Sequence, residues 1–480
     1  MTVKELLQKY KSINQSVKAG LWFTICNVLQ RGIQFLITPV ITRLLTTEEY
    51  GTYTLFTSWT NIFLIFASLN LSQGIYYNGL IKNENNEEKY TASLQGLSGV
   101  STIFVFLIVT VTYPVTKRWL SIPYPYIVLM FAVLLTQPAF GFWSAQQRIK
   151  YKYVGVLIAT LLMAFLTPFT GIMILKIFHL GGYAIILGYS IINIAINGFL
   201  YIRNFIKGKT FFSKKYWKQA LTFSLPLIPH YLSLTILAQS NRIMVGMYLG
   251  KAAAGIYSLA NQVALLMSIL TTGINSALTP WIYQAIKRNE WKHIRQVSNM
   301  LILIFMGFSM LAVLLAPEIL LFLGTEEYLD AKWIIPPMMV ATFLTFIYCM
   351  FGTILFYFED TKKIAVASMS GAMLNVILNI IFIPQFGFIT TGYTTLASYV
   401  VITMVYYFSM RKCCEKNLIT EEVFDIKFVA MLIGIFVIYS GIALILYRTI
   451  VIRYGLVFII AVVFILKRKI LYNIVEKLRN

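Results

Sequence analysis

Five polar side chains punctuate the first apolar stretch of the chain: Thr24, Asn27, Arg31, Gln34 and Thr38, at spacings of 3, 4, 3 and 4. On a helix that spacing puts all five on one face. Arg31 lies near the middle of Leu21–Ile41, a run long enough to cross a bilayer. An arginine at that depth costs about 2.5–3.5 kcal/mol on insertion scales, so it faces a cavity or a partner. A planar guanidinium between amides can grip a phosphate-like anion through paired hydrogen bonds. The plainer alternative is that Arg31 bonds backbone carbonyls or Asn and Gln neighbours and only fixes helix packing.

The pattern has a second copy. "EYGTYTLFTS" (Glu49–Ser58) matches "AAGIYSLANQ" (Ala253–Gln262) at a constant offset of 204 residues, pairing Gly51 with Gly255, Tyr53 with Tyr257 and Leu55 with Leu259. The same offset carries the first stripe onto Ile228, Tyr231, Thr235, Ala238 and Arg242, so each half has an arginine on the equivalent face. Arg242 falls seven positions further along that frame, roughly 10 Å nearer the outer surface. The second helix continues the polar face with Thr57, Asn61, Ser68 and Ser72, and its repeat partner has Asn261, Ser268, Thr272 and Asn275. Four helices are therefore expected to line one water-accessible cavity, with Asn27, Arg31, Gln34, Asn61, His230, Thr235, Arg242, Asn261 and Asn275 as its candidate substrate-binding residues.

Acidic partners are missing from this expected cavity. The core of every apolar run lacks Asp and Glu, and Glu318, Glu359 and Asp360 sit toward run ends. A cationic cavity without carboxylates suits an anion. His230, after Pro226 and Pro229, could titrate near neutral pH and couple transport to protons. A neutral histidine bonding a carbonyl freed by either proline is the favoured reading. Glu48 and Glu49 in the first outer loop could serve a membrane enzyme, but a solvated loop or a helix cap accounts for them better.

The elements that must position these residues are membrane helices. Of 480 residues, 58% are hydrophobic and 12% charged, too little charge to cover a soluble protein of this size. Fourteen apolar runs are long enough to span, among them Tyr53–Ile75, Ala220–Tyr248, Met300–Leu323, Ile364–Ile383 and a weak last one, Ile450–Leu466, which contains Arg453. A bilayer excludes open sheets, so the fold is all-α and polytopic, with about 14 transmembrane helices. The net charge of +22 reflects topology. With the N-terminus in the cytoplasm, thirty of the forty Lys and Arg fall on the inner side, and eight, Arg453 included, in outer loops. That bias supports cytoplasmic N- and C-termini, and no nucleic-acid partner is expected. Leu6, Leu7, Tyr10 and Ile13 suggest a short amphipathic surface helix, and no cleavable signal is expected. Cys26, Cys349, Cys413 and Cys414 have no metal or disulfide spacing, and the last two fall in an inner loop. No metal and no cofactor are expected. The longest polar links, Arg203–Lys218 and Lys412–Lys427, suggest lobes at 1–210 and 211–412 followed by two peripheral helices at 413–480.

"FSLPLIPHYLS" (Phe223–Ser233), "NRIMVGMYLGKAAAGIYSLANQ" (Asn241–Gln262), "PWIY" (Pro280–Tyr283) and "RGIQFLITPVITRLLTTEEYGTY" (Arg31–Tyr53) resemble the O-antigen and capsule polysaccharide flippases. These belong to the multidrug/oligosaccharidyl-lipid/polysaccharide exporter superfamily. The resemblance implies two six-helix lobes forming a V around a central cavity, plus two peripheral helices. It also implies a bacterial inner-membrane protein of polysaccharide or lipopolysaccharide biosynthesis. Such a protein flips an undecaprenyl-diphosphate-linked oligosaccharide to the periplasmic leaflet, among membrane lipids and other polysaccharide-assembly proteins. Many relatives would be expected to carry Asp-Arg where this chain has Asn241–Arg242, so carboxylate coupling there is in doubt. A proton or sodium counter-ion stays open. The competing readings are a drug exporter of the same superfamily, whose organic cations Arg31 would repel, and a membrane glycosyltransferase or polymerase, for which the outer loops are short.

Overall fold

The computed structural model describes residues 15–419 and 421–466, so the amphipathic segment at Leu6–Ile13 lies outside the described residues. The described residues form helices and no strand, and ten of the helices are long and apolar enough to cross a membrane. Contacts divide the chain into two compact units, Met1–Thr235 and Ile236–Asn480.

The first unit contains α1 (Gln15–Leu44), α2 (Thr47–Ser68), α3 (Ile75–Lys82), α4 (Glu87–Leu120), α5 (Tyr124–Ile149), α6 (Tyr153–Phe178), α7 (Gly182–Gly208) and α8 (Lys214–Ser224). Helix α7 is its centre and packs on α2, α4, α5 and α6, whereas α1 rests mainly on α6. Lipid gives helices no hydrophobic reason to associate, so close backbone approach matters. At the α6–α7 crossing a Cβ on Gly188 would come within 2.2 Å of the Gly171 backbone nitrogen. Aromatic layers fill the rest, with Phe63 and Phe106 against Phe131 near one end, and Phe142 against Tyr76 near the other.

Helix α9 (Ile228–Leu249) leads into the second unit, which contains α10 (Lys251–Lys287), α11 (Trp291–Leu314), α12 (Ala316–Leu323), α13 (Ile335–Tyr357), α14 (Thr361–Phe386), α15 (Thr390–Lys416), α16 (Ile426–Leu446) and α17 (Ile450–Leu466). Here α13 is central and touches α10, α11, α14, α15 and α16. Phe346 on α13 stacks on Phe305 of α11 at 4.3 Å, and Phe343 meets Phe436 of α16 edge-on at 5.4 Å.

The internal repeat runs well beyond its one legible segment. Helices α2 and α10 begin 204 residues apart, at Thr47 and Lys251, and so do α4 and α11, at Glu87 and Trp291. Helices α6 and α14 begin 208 residues apart, as do α7 and α15. The frame shifts in the stretch where the second unit breaks into α12 and a 3-10 helix, Glu326–Trp333, before α13.

Each of the fourteen apolar runs is largely helical, the seventh and ninth through two successive helices, and four fall short of the ten spans. Helices α1, α2 and α15 are diluted by polar residues, and α17 is short. Several boundaries also move. Leu69 and Asn70 take left-handed backbone (φ 48° and 49°), so the second run ends at Ser68 and not at Ile75. The seventh run starts as α8 and passes through a 3-10 turn, Leu225–Leu227, around Pro226. The ninth splits before Pro317, which opens α12. The first polar link is mostly helix, leaving 209–213 outside, whereas the second is helical only at Lys412–Lys416, which ends α15, and at Ile426 and Lys427, which open α16. Cys413 and Cys414 consequently lie buried in the last turns of α15 and not in a loop. Arg453, expected in an outer loop, is a buried residue of α17.

Candidate functional site

The polar face of α1 exists as a helical stripe. Asn27, Arg31 and Gln34 are exposed, with Arg31 near the middle of a helix roughly 45 Å long. The stripe closes at its ends, where the Thr24 and Thr38 hydroxyls donate to the carbonyls of Gly20 (3.0 Å) and Gln34 (2.8 Å). On α2, Asn61 is exposed, while Thr57 and Ser68 return their hydroxyls to carbonyls three or four residues back. The α10 counterpart behaves likewise. Ser268 donates to Leu265, Thr272 to Ser268 and Ser276 to Thr272, at 2.7–2.8 Å. Such hydroxyls spend their proton locally and offer a passing ligand mainly acceptor lone pairs. These faces also carry the amides of Asn27, Gln34 and Asn61 and the guanidinium of Arg31.

The other candidates are half-buried. His230 stands beside Tyr231 (ring centres 5.6 Å), and its carbonyl accepts from Ser233. Thr235, Arg242, Asn261 and Asn275 share this intermediate exposure. The α1 and α2 residues, with His230 and Thr235, belong to the first unit; Arg242, Asn261 and Asn275 belong to the second. Glu49 does not stay available. It completes a capping box with Thr46, the Thr46 amide donating to Glu49 Oε2 at 2.9 Å and the Glu49 amide to Thr46 Oγ1 at 3.3 Å.

One polar centre of the second unit went unread in the sequence. Asn241 on α9 donates to Tyr257 Oη (3.1 Å) and Thr395 Oγ1 (2.7 Å). Its own Oδ1 accepts from Asn379 Nδ2 of α14 at 2.6 Å. Asn379 also donates to Asn375 Oδ1 (3.1 Å) and accepts from Thr394 Oγ1 (2.5 Å). Ser240 donates to Asn375 from the α9 side at 3.1 Å. All three asparagines are buried, and the network joins α9, α10, α14 and α15 without a carboxylate. The i, i+4 pair Asn375 and Asn379 inside Ile364–Ile383 was its sequence signal. Arg242, next in sequence to Asn241, turns about 100° away around the helix.

A charged pair also lies in this unit. Arg453 Nη2 bonds Glu318 Oε1, which accepts from Tyr454 Oη as well, at 3.0 Å. The one carboxylate of α12 is thereby committed to a structural partner.

Long helices and polar stripes on a repeated six-helix plan define a multi-pass α-helical membrane protein built like a transporter. The polysaccharide biosynthesis protein family matches residues 16–286, more than half of the chain, and the chain belongs to that family. The MatE family matches residues 226–381, which agrees with a place in the multidrug/oligosaccharidyl-lipid/polysaccharide exporter superfamily. A Haemophilus influenzae relative named "Uncharacterized membrane protein" is 24% identical over 374 residues, covering 75% of this chain and 88% of its own. Among solved structures, the lipid II flippase MurJ in an inward closed conformation superposes with a TM-score of 0.73 at 14% identity, covering 94% of this chain and 100% of that one. An inward-facing multidrug resistance MATE family transporter gives 0.62 at 14% identity, covering 83% and 96%. Those likenesses establish the fold.

Proposed function

We propose that the chain flips undecaprenyl-diphosphate-linked oligosaccharide repeat units from the cytoplasmic to the outer leaflet of a bacterial inner membrane by alternating access. The observation that carries this reading is the exposed Asn27–Arg31–Gln34 face of α1, in a protein whose α12 carboxylate is already paired with Arg453. A guanidinium between amide donors matches a diphosphate, which offers several anionic oxygens. The sugars would travel in a hydrated path while the polyprenyl chain stays in lipid. Arg242 would take over the headgroup from Arg31 later in the cycle. The family membership and the likeness to MurJ support a lipid-linked cargo.

The likeness to a multidrug transporter raises the second reading, a drug exporter. Arg31 disfavours the organic cations that such a cargo would present. A membrane transferase reading loses one of its two candidate carboxylates, because Glu49 serves as a helix cap. The test is translocation of an undecaprenyl-diphosphate sugar in proteoliposomes. Translocation that requires the protein and falls with Arg31→Ala supports the flippase. A chain-lengthened glycolipid in its place would move the case to an enzyme, and export of a cationic dye alone would move it to a drug exporter.

A further inference from the structure

A cavity of about 220 Å3 opens in the first unit where α4 and α6 begin and α5 and α7 end. Four cations line it, Lys150, Lys152, Arg203 and Lys207, against two carboxylates, Glu87 and Glu88. Both carboxylates are taken, Glu87 by Lys150 at 2.6 Å and Glu88 by Lys207 at 3.2 Å. Among the described residues, Lys152 and Arg203 make no ion pair. The wall is polar and held in place. Thr91 accepts from Gln146 Nε2 at 2.8 Å, and Asn204 donates to Gln95 Oε1 at 2.9 Å, with Thr91 and Asn204 both buried. Helices α4 and α7 are clamped alongside, because a Cβ on Gly208 would come within 2.2 Å of the Glu88 carbonyl. Next to Arg203 and Lys207 the outer face of α7 is apolar and bare, with Ile202 60% and Ile206 65% exposed.

We infer that this cavity binds a phosphate group. Two cations without acidic partners supply charge and directed donors for a phosphate, which accepts several hydrogen bonds at once. The apolar face of α7 beside the cavity fits the acyl chains of a phospholipid whose headgroup enters it, as basic pockets between membrane helices do. A soluble phosphate presents the same oxygens without the chains. None of the residues involved belongs to the α1 face, so the inference stands apart from the transport reading.

The test uses the full-length protein in nanodiscs of zwitterionic lipid, titrated with phosphatidylglycerol, with retained lipid counted by native mass spectrometry. A parallel arm titrates inorganic phosphate, with and without the anionic lipid. The Lys152→Gln/Arg203→Gln variant should weaken retention roughly tenfold, the usual scale for lost charge-assisted hydrogen bonds. Arg203→Lys alone should lose less. Lys214→Gln/Lys215→Gln removes equal charge from α8, outside the cavity, and should change retention little. Phosphate binding in the absence of anionic lipid, with the same variant dependence, would keep the site and assign it a soluble source. Equal retention by the wild type and the cavity variant, or an equal loss in the α8 control, would overturn the inference.

Discussion

Arg453 and Glu318 lie 135 residues apart in sequence and form an ion pair in which Arg453 is 4% exposed and the Glu318 side chain 33% exposed. The pair explains how a short helix with an arginine in its first turn holds its place: α17 is pinned to the first turn of α12. Tyr447, one residue past α16, donates to the Val313 carbonyl at 2.8 Å and ties the adjacent segment to α11. Removing one partner from a buried pair leaves an uncompensated charge. Arg453→Leu should therefore cost about 3 kcal/mol, the low end for such pairs because Glu318 is partly exposed. Arg453→Leu with Glu318→Leu should recover most of it. Thermal unfolding of the purified variants in detergent checks both, and equal melting temperatures for wild type and Arg453→Leu would dismiss the pair as incidental.

On the α1 face, Arg31→Ala should lower headgroup translocation at least tenfold, the scale of about 1.5 kcal/mol or more for a hydrogen bond to a charged group. Arg31→Lys keeps the charge, loses the fork, and should fall between. Because Arg31 is exposed, both proteins should fold and insert normally. Full activity of Arg31→Ala at normal protein levels would remove this residue from the path.

The amide network predicts a stability phenotype. Asn379→Ala strands Asn241 Oδ1 inside the second unit and leaves the Thr394 hydroxyl only the Thr391 carbonyl, at a cost of about 1–3 kcal/mol. Asn379→Asp should behave differently with pH. Its two donors to Asn241 and Asn375 become acceptors facing acceptors, which a protonated carboxyl partly repairs. That variant should be closer to wild type in acid than at pH 8, and a pH-independent melting temperature would refute this.

Burial pushes the Cys414 thiol up to about 11 at the end of α15. At pH 8 the thiolate, which is the reactive form, should be about a hundredfold scarcer than for an ordinary thiol, and maleimide labelling correspondingly slow. Because the folded value lies above the unfolded one, the unfolded chain releases its proton first. This contribution to stability is complete below about pH 9 and is lost as pH rises toward 11. Rapid labelling of the folded protein at pH 8 would contradict the burial.

The α6–α7 crossing gives a packing prediction. Gly188→Ala would drive a methyl against the Gly171 backbone, which cannot rotate aside, and should destabilise by about 1–3 kcal/mol. Gly20→Ala in α1, where a Cβ meets nothing within 4 Å, is the control and should be neutral or stabilising by up to about 1 kcal/mol. Melting temperatures of the two variants settle the comparison.

The runs of apolar residues determined by themselves that this chain is an all-helical membrane protein, because continuous stretches of about 20 apolar residues suit a spanning helix and lack the alternation of a closed barrel, the other arrangement a bilayer allows. The 3,4 spacing of Asn27, Arg31 and Gln34 likewise fixed their common face, a local property of one helix. Glu49 as a cap was readable for the same reason, its partner Thr46 being three residues away. What needed the tertiary structure were relations between distant segments. Asn379 meets Asn241 across 138 residues and Glu318 meets Arg453 across 135, and no periodicity along one helix encodes such pairs. The ends of helices were also decided by packing and local geometry. Leu69 and Asn70 are apolar or neutral enough to continue a hydrophobic run, but only their left-handed backbone ends α2. The repeat shows the same division, since sequence kept one recognisable segment while the helix starts preserve the frame through most of each half. Membrane packing constrains the position and length of helices more tightly than the identity of the apolar residues that fill them.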